Sequence, residues 1–306
     1  MRRLVLQTGL LTLGFSLALG APLAVAHDQQ KAKPTAAAAK PDAALVAAVA
    51  GDVRAAENRA RDESRRPAEA LAFWGLKPGM TILEVQPGGA PQYWTEILAP
   101  YAKATGGKYF ATAADLNDPK LADRSRQARI GFEQRYADIA KWGQVGLVNW
   151  GLASAPPPAN TFDFALVSRS VHGWMRGNDR NVDMVAKSFR DLYAALKPGG
   201  ILAIEQHRAS GTEQTDPRAM SGYVTEAFVI QQAEKAGFRL DGKSEINANP
   251  KDTKDHPFGV WTLPPSLASQ NYGDPNSKPD PNFDHSKYKA IGESDRMTLR
   301  FVKPKG

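Results

Sequence analysis

Two segments of this sequence carry histidine and arginine side chains at positions where a parallel sheet would bring them together. Residues 168–175 read SRSVHGWM and residues 205–208 read EQHR, and each segment follows a predicted buried strand. An imidazole accepts a proton near neutral pH, and a guanidinium binds carboxylate or phosphate groups. Together they predict catalysis on, or binding of, a small anionic molecule. The predicted site residues are Arg169, His172, His207 and Arg208.

A metal site is an alternative for the same region, because His172, His207 and Glu205 supply suitable ligand types. Against it, the sequence has no close pair such as His-x-x-x-His, and adjacent residues of a strand point to opposite faces. We therefore expect no metal site. Serine hydrolysis has little support, because there is no G-x-S-x-G elbow and neither Ser168 nor Ser170 has an obvious acidic partner after a later strand.

A third segment, ILEVQPGGAPQYW at residues 82–94, reads as the end of a buried strand, a glycine turn and the start of a helix. Glycine lets a backbone approach a ligand closely, and the amino end of a helix favours anionic groups. The turn therefore predicts a cradle for a nucleotide-like cofactor around Gly88 and Gly89. Pro-Gly-Gly is also an ordinary turn, and from the residues alone that interpretation stays open.

The elements that would position these segments alternate between strands and helices. Strands are predicted over residues 80–85, 108–113, 145–150, 162–168 and 201–206, with helices over 93–103, 119–141 and 182–196. Such alternation implies right-handed crossovers and a parallel sheet covered on both faces. The predicted fold class is α/β, doubly wound, and in such sheets ligands bind beyond the carboxyl ends of the strands.

The C-terminal part predicts two antiparallel strands joined by a long connection. A helix at 223–236 and a strand ending near 246 precede an irregular stretch at 247–296, and an alternating strand follows at 297–302. If these strands pair at the sheet edge, their connection emerges on the ligand side. We expect a lid from which His256, Trp261 or Arg296 reaches the ligand, and a solvated, mobile insertion is the alternative.

The N-terminal residues predict export to the periplasm. Residues 1–26 combine a basic start, an uncharged Leu-rich run and a closing Ala-Val-Ala, the pattern of a signal peptide cleaved after Ala26. The apolar run is short for a membrane span, so no stable span is expected after cleavage. Residues 27–41 predict a disordered linker. Residues 42–306 form the predicted domain, which begins with helices from Asp42 onward and at 68–74 that cap it by packing.

The amino-acid composition excludes several classes of function. The 306 residues include no cysteine, which excludes thiol nucleophiles, thiolate metal sites and a lipoprotein anchor. The net charge is +7, and it becomes +5 when Arg2 and Arg3 are lost with the signal peptide. Basic residues are scattered, and no basic stretch is interleaved with aromatic residues, so a soluble basic surface is favoured over nucleic-acid binding. The oligomeric state does not follow from the sequence.

Taken in order, these segments resemble one protein family. The runs EVQPGG, YWTEILAPYAK, FDFALVSRSVHGWM, LYAALKPGGILAIEQHRASG, AEKAGFRL and SDRMTLRFVKP are similar to segments of the class I S-adenosylmethionine-dependent methyltransferases. More narrowly, the chain is similar to a group of exported bacterial predicted methyltransferases with a strand-end R-N-x-H-N-W segment and an H-R-x-x-G segment. The resemblance covers about residues 66–305 and rests on the combined motifs.

The resemblance implies a seven-stranded Rossmann-like sheet whose last strand is antiparallel. S-adenosylmethionine would lie across the ends of the first, second and fourth strands. His172 would act as general base on a small-molecule substrate, with Arg169, His207 and Arg208 orienting it. By motif matching, the implied cofactor-binding residues are Glu84, Gln86, Gly88, Gly89 and Asp115.

The glycine turn departs from the acidic-x-Gly-x-Gly-x-Gly run of the family. Gln86 stands at the first glycine and Ala90 at the last, and Pro91 follows. A turn of different shape would let Gln86 keep a negative backbone angle. Two hypotheses therefore stay open: a methyltransferase, and a catalytically inactive periplasmic binding protein that kept the fold. A nicotinamide-dependent oxidoreductase ranks last, because G-x-G-x-x-G is absent after the first strand.

Overall fold

The computed structural model describes residues 40–177, 182–274 and 276–306. The predicted signal peptide and nearly all of the predicted linker lie outside these ranges. Across the described residues, no helix combines the length and the apolar character needed to cross a membrane.

Seven strands of the described chain form one sheet in the order β3-β2-β1-β4-β5-β7-β6. Neighbouring strands are parallel except around β7, which is antiparallel to both β5 and β6. This confirms the predicted doubly wound α/β fold with an antiparallel last strand. The strands are β1 Thr81–Val85, β2 Lys108–Ala113, β3 Val145–Asn149, β4 Phe162–Ser168, β5 Leu196–His207, β6 Arg239–Ser244 and β7 Arg296–Val302.

Helices cover both faces of the sheet and form an N-terminal cap. The cap consists of α1 Ala43–Ala50, α2 Ala56–Arg59, α3 Asp62–Arg65 and α4 Pro67–Trp74. The others are α5 Thr95–Ala104, α6 Asp123–Arg135, α7 Ile139–Trp142, α8 Val171–Arg176, α9 Met184–Ala195, α10 Glu226–Lys235 and α11 Ser286–Ile291.

Two predicted helices are broken in the structure by local backbone signals. The helix predicted at 119–141 divides into α6 and α7, because the Asp138 side chain accepts a hydrogen bond from Lys141 N and starts a new helix. The helix predicted from Asp42 divides as well. Gly51 ends α1 in an extended conformation, and Arg66 takes a left-handed conformation before Pro67 starts α4.

The core lies on the two faces of the sheet, and the alternation of each strand decides which side chains join which face. In β1, Leu83 and Val85 pack into the cluster under α8, α9 and α10. Ile82 packs into the other cluster, under α1, α4 and α5. Because Glu84 is two positions after Ile82 in the strand, its carboxylate also points to the α5 side.

The connection between β6 and β7 is bonded to the domain along its length. It contains a 3₁₀ helix at Gly259–Thr262 and ends just after α11. Asn247 Nδ2 donates to the carbonyl of Arg65 at 2.6 Å, and Val260 N donates to the carbonyl of Ser221 at 2.8 Å. The segment predicted as irregular is therefore packed against both the N-terminal cap and the turn that precedes α10.

Candidate functional site

The two predicted histidines lie side by side at the carboxyl edge of the sheet. His172 is in α8, directly beyond β4, and His207 ends β5; their ring centroids are 5.5 Å apart. Nδ1 of His172 lies 3.2 Å from Nε2 and 3.4 Å from Oε1 of Gln206. Nδ1 of His207 lies 2.6 Å from the hydroxyl of Ser294. The structure thus brings together the pair that the strand order predicted.

Both imidazoles are held in the neutral form. Burial, with a contribution from Arg176, lowers the pKa of His172 to about 4. Burial also lowers the pKa of His207 well below its ordinary value, and the neighbouring His172 and Arg296 add to the effect. At neutral pH each ring therefore keeps one nitrogen lone pair, which is the form that accepts a proton.

Arg169 stands beside this pair without a partner of its own. It follows β4 with a left-handed φ of 56°, and its backbone N donates to the carbonyl of Glu205 at 2.7 Å. Among the described residues its guanidinium makes no hydrogen bond or ion pair, and its buried Nε is unpaired. Burial, together with repulsion from Arg296, lowers the pKa of Arg169 to about 10.

A buried ion-pair cluster adjoins Arg169 on the face covered by the N-terminal cap. Arg296 Nη1 donates to Glu205 at 2.7 Å, and Arg296 also pairs with Glu293. From the cap, Arg61 and Arg65 donate to the same Glu293 at 2.6 and 3.1 Å. From the sequence, these cap residues were predicted only to pack against the domain. Their signal was the arginine-rich run RARDESRR at 59–66 inside a segment that is otherwise amphipathic.

Arg208 does not join the histidine pair, although the sequence predicted that it orients a substrate beside that pair. Its Nη2 donates to Asp295 at 2.9 Å and to Glu245 at 2.6 Å, and its Nε also donates to Asp295. Adjacent residues of β5 point to opposite sides. The guanidinium therefore ties the end of β5 to the residues that follow β6 and precede β7.

The glycine turn has an open outer surface. Gly88 has a φ of 85°, which glycine adopts without strain, and Cβ atoms built on Gly88 and Gly89 would meet nothing within 4 Å. Gln86 also has a positive φ, 51°, so the turn keeps the shape that a glycine at that position would give. Its backbone N donates to the Thr112 hydroxyl at 2.8 Å, and its side-chain oxygen accepts from Trp174 Nε1 at 2.9 Å.

Glu84 faces the core instead of the turn, although motif matching placed it among the cofactor-binding residues. Its Oε2 accepts hydrogen bonds from Thr95 at 2.8 Å and from Tyr109 at 2.6 Å. The residue is 2% exposed, and burial raises the pKa of its carboxyl group to about 7. The side chain fastens β1 to α5 and β2, and so it supports the turn indirectly.

Asp115 lies two residues beyond β2, at the same edge as the glycine turn. Its Oδ1 accepts from Asn117 N at 3.0 Å and from Asn149 Nδ2 at 3.3 Å. Within the described residues its Oδ2 accepts no hydrogen bond. The carboxylate is thus fixed to the end of β3 by one oxygen while the other stays available.

The connection between β6 and β7 reaches the histidine pair through one of the three residues predicted for it. The ring of Trp261 packs edge-on against His172, with centroids 5.8 Å apart, and Arg176 stacks over the indole at 4.4 Å. His256 is buried and bonded to Asp252 at 2.9 Å. Arg296 belongs to the ion-pair cluster. Among the described residues, no group of three or more His, Cys, Asp or Glu side chains is arranged to hold a metal ion.

The sequence is similar over part of its length to bacterial C-methyltransferases of ubiquinone/menaquinone biosynthesis. It is 28% identical over 130 residues to the ubiquinone/menaquinone biosynthesis C-methyltransferase UbiE of Enterobacter sp. (strain 638), covering 42% of this chain and 43% of that protein. It is 29% identical over 133 residues to UbiE of Pasteurella multocida (strain Pm70), covering 42% and 41%. The chain thus aligns with less than half the length of these relatives. No protein-family model matches it.

Solved methyltransferase structures align with much of the chain at low sequence identity. A SAM-dependent methyltransferase from Aquifex aeolicus aligns over 61% of this chain and 87% of its own, with 23% identity and a TM-score of 0.43. A putative sarcosine dimethylglycine methyltransferase from Galdieria sulphuraria aligns over 81% and 88%, with 12% identity and a TM-score of 0.47. Over these aligned parts the chain is similar to class I S-adenosylmethionine-dependent methyltransferases, and its strand order with an antiparallel β7 is the one that the motif resemblance implies.

Proposed function

We propose that this protein binds S-adenosylmethionine at the glycine turn and transfers its methyl group to a small molecule. The observation that carries the proposal is the open backbone at Gly88 and Gly89, where added Cβ atoms would meet nothing within 4 Å, at the carboxyl end of β1. A ligand of this size needs such close backbone approach. The C-methyltransferases that match by sequence support the same activity.

The residues at this edge fit the cofactor in two places. The backbone of Gly88 and Gly89 would hold its methionine end, and Oδ2 of Asp115 would accept from the ribose hydroxyls. When bound, the cofactor supplies a methyl group on a positively charged sulfur. Little more is needed from the protein than alignment of the nucleophile and removal of its proton.

His172 is the residue that we propose as general base. Its Nδ1 faces Gln206, and among the described residues its Nε2 makes no hydrogen bond. In the tautomer that donates from Nδ1 to Oε1 of Gln206, Nε2 carries the lone pair and accepts the proton of the substrate. A pKa of about 4 keeps this nitrogen unprotonated at neutral pH. The rings of His207 and Trp261 pack against the His172 ring on two sides.

Titration calorimetry of the purified mature protein with S-adenosylhomocysteine tests whether the cofactor site binds an adenosyl compound. We expect binding heat in the natural protein and none in Gly89→Phe, whose bulky side chain would start from a Cβ with nothing within 4 Å and fill the open space. Gly131→Phe is the matched control, because a Cβ at Gly131 also meets nothing within 4 Å and that residue lies on α6. Absence of heat in the natural protein would overturn the proposal.

A second candidate function is binding without methyl transfer. It is favoured by Gln86, whose side chain extends from the position of the first glycine of the family to Trp174. On this hypothesis the protein holds a small molecule in the periplasm and has lost its affinity for adenosyl compounds. Mass spectrometry of small molecules released from the purified protein separates the two, since adenosyl compounds are expected only for the methyltransferase.

We propose further that the protein acts after export, on the basis of residues 1–26. Expression of the full chain in a bacterium, followed by fractionation and intact-mass measurement, should give a periplasmic protein that begins at His27. Ala26→Arg, which places a large charged residue at the cleavage position, should retain the precursor. An uncleaved cytoplasmic protein in the first experiment would contradict export.

A further inference from the structure

The ion-pair cluster under the N-terminal cap has an excess of positive charge. Among the described residues it joins four arginines to two glutamates. Glu293 receives Arg61, Arg65 and Arg296, while Glu205 receives Arg296. The fourth arginine, Arg169, interacts with the others through its charge alone. The members are Arg61, Arg65, Arg169, Arg296, Glu205 and Glu293.

Several donors of this cluster are buried and unused. Both terminal nitrogens of Arg65, Nη1 and Nη2, have no hydrogen-bond partner, and neither does Nε of Arg169. The Arg65 side chain is fully buried, with 0% exposure. A buried N–H without an acceptor, on a group that carries a full charge, destabilises a folded protein by several kcal/mol in order of magnitude. Guanidinium groups kept in this state point to a missing acceptor.

The electrostatics of the cluster agree with that geometry. Burial lowers the pKa of Arg65 to about 9, and repulsion from Arg169 adds to it. By contrast, Arg296, Arg65 and Arg169 together lower the pKa of Glu205 to about 2, although burial alone would raise it. The negative charge of the glutamates is thus more than balanced by neighbouring arginines, while the positive charges of Arg65 and Arg169 are not fully balanced.

We propose that Arg65 and Arg169 form a binding site for a carboxylate or phosphate group. The unpaired N–H groups of the two guanidiniums supply the donors, and their planar forks match the oxygens of such anions. Arg169 is partly exposed and gives the anion a way in, whereas Arg65 is fully buried.

The position of the site suggests what the anion belongs to. Arg169 lies three residues before His172 in the segment that follows β4, and the His172 ring contacts the ring of His207. An acceptor molecule anchored by its anionic group at the arginines would therefore place its body near the proposed base. This assignment to the methyl acceptor rests on the proposed function, while the binding of an anion does not.

Thermal unfolding with inorganic phosphate or malonate, against sodium chloride at equal ionic strength, tests the site. The natural protein should gain on the order of 3 °C in Tm at ten times the Kd. Arg169→Met should lose this gain, and without anion it should unfold at the same or a higher temperature because repulsion is relieved. Arg169→Lys should keep part of the gain. Arg124→Met, which removes an exposed arginine of α6, should keep all of it.

Two results of that experiment would overturn the site. One is the absence of an anion-specific gain in the natural protein. The other is an equal gain in Arg169→Met, because phosphate also raises Tm through exclusion from the protein surface.

Calorimetry with the cofactor product separates this proposal from the proposed function. S-adenosylhomocysteine carries a carboxylate, and methylthioadenosine lacks it. Equal affinity of the natural protein and Arg169→Met for S-adenosylhomocysteine supports a separate anion site. If Arg169→Met weakens S-adenosylhomocysteine but not methylthioadenosine, the arginines hold the cofactor and the acceptor site is refuted. If the natural protein binds phosphate but gives no heat with S-adenosylhomocysteine, the anion site stands and the proposed methyl transfer falls.

Discussion

Trp174 Nε1 donates a 2.9 Å hydrogen bond to the side-chain oxygen of Gln86, and this bond joins the segments that follow β4 and β1. Trp174 is 1% exposed and packs edge-on against Trp150 and Phe189. Gln86 holds a left-handed φ of 51°, which costs a residue other than glycine about 1 kcal/mol. The bond offsets a strain of similar size. The side chain of Gln86 thus covers one side of the turn, which a glycine at this position would leave uncovered.

Gln86→Gly should therefore bind S-adenosylhomocysteine roughly threefold to tenfold more tightly, since it removes the side chain beside the open backbone. Its stability should change little, because the relief of backbone strain and the loss of the hydrogen bond oppose each other. Asn160→Gly is the control: Asn160 also has a positive φ, 48°, but it precedes β4 at the opposite end of the strand. Calorimetry that finds weaker binding in Gln86→Gly would show that the glutamine shapes the cradle.

Asp115→Asn should weaken S-adenosylhomocysteine binding about tenfold, because a hydrogen bond to a charged acceptor contributes about 1.5 kcal/mol or more. The amide still bonds to Asn117 N through its oxygen, so the fold at the end of β2 is kept. Asp118→Asn is the matched control three residues later, where the carboxylate accepts from Lys120 N. Equal affinities in the two variants, measured side by side, would remove Asp115 from the cofactor site.

The fold was predictable because its strands are short buried runs whose spacing leaves few topologies. The predicted bounds of 162–168 coincide with β4, and the proximity of His172 to His207 follows from parallel neighbours that end at one edge. β5 starts earlier than predicted, at Leu196, because Leu196 pairs with Phe162 of β4, and the Lys-Pro-Gly-Gly stretch that looks like a turn forms an irregularity between this pair and the next one, Phe164 with Ile201. Turn residues in a strand mislead local interpretation.

The candidate site was predictable only in part, because side-chain partners come from distant segments. Arg65 meets Glu293 across 228 positions of the chain, and no local pattern encodes that distance. Glu84 could have been assigned from the sequence. Strand alternation places it with Ile82 on the α5 face, whereas motif matching placed it on the turn. The Arg208 guanidinium is held by ion pairs with Asp295 and Glu245, which lie near the ends of the long connection.

The contact between Trp261 and His172 depends on a close approach at Gly222. A Cβ at Gly222 would lie 2.4 Å from Val260 Cγ1 and 3.0 Å from the Trp261 ring. Gly222→Ala should therefore displace the 3₁₀ helix Gly259–Thr262 and raise hydrogen exchange and proteolysis there. Gly211→Ala is the control, because Gly211 has a similar φ, 77°, and open space around its Cβ. Equal protection of the 3₁₀ helix in both variants would show that the tryptophan is not held by this packing.

Acid should destabilise the protein in two successive pH ranges. His172 and His207 have lowered pKa values in the folded state. Below pH 6.5 the unfolded chain therefore binds protons at these residues that the folded chain does not bind. Stability is therefore lost as the pH falls from about 7 towards about 4. Glu205 and Glu293 have lowered pKa values as well, so their contribution is present above 4.5 and is lost as the pH falls towards about 2.

Urea unfolding from pH 8 to pH 2 measures both ranges. Each proton taken up on unfolding gives a slope of about 1.4 kcal/mol per pH unit. The two histidines together should give up to about twice that in the upper range, and Glu84 should subtract about one such slope there, because its raised pKa makes it release a proton on unfolding. His172→Gln should reduce the upper slope and leave the lower one, and Glu205→Gln should do the reverse. The comparison uses slopes, since Glu205→Gln also leaves Arg296 without one of its carboxylates. An upper slope that is the same in His172→Gln as in the natural protein would mean that the imidazole of His172 is protonated in the folded protein as readily as in the unfolded chain, and the neutral base proposed for His172 would then be excluded.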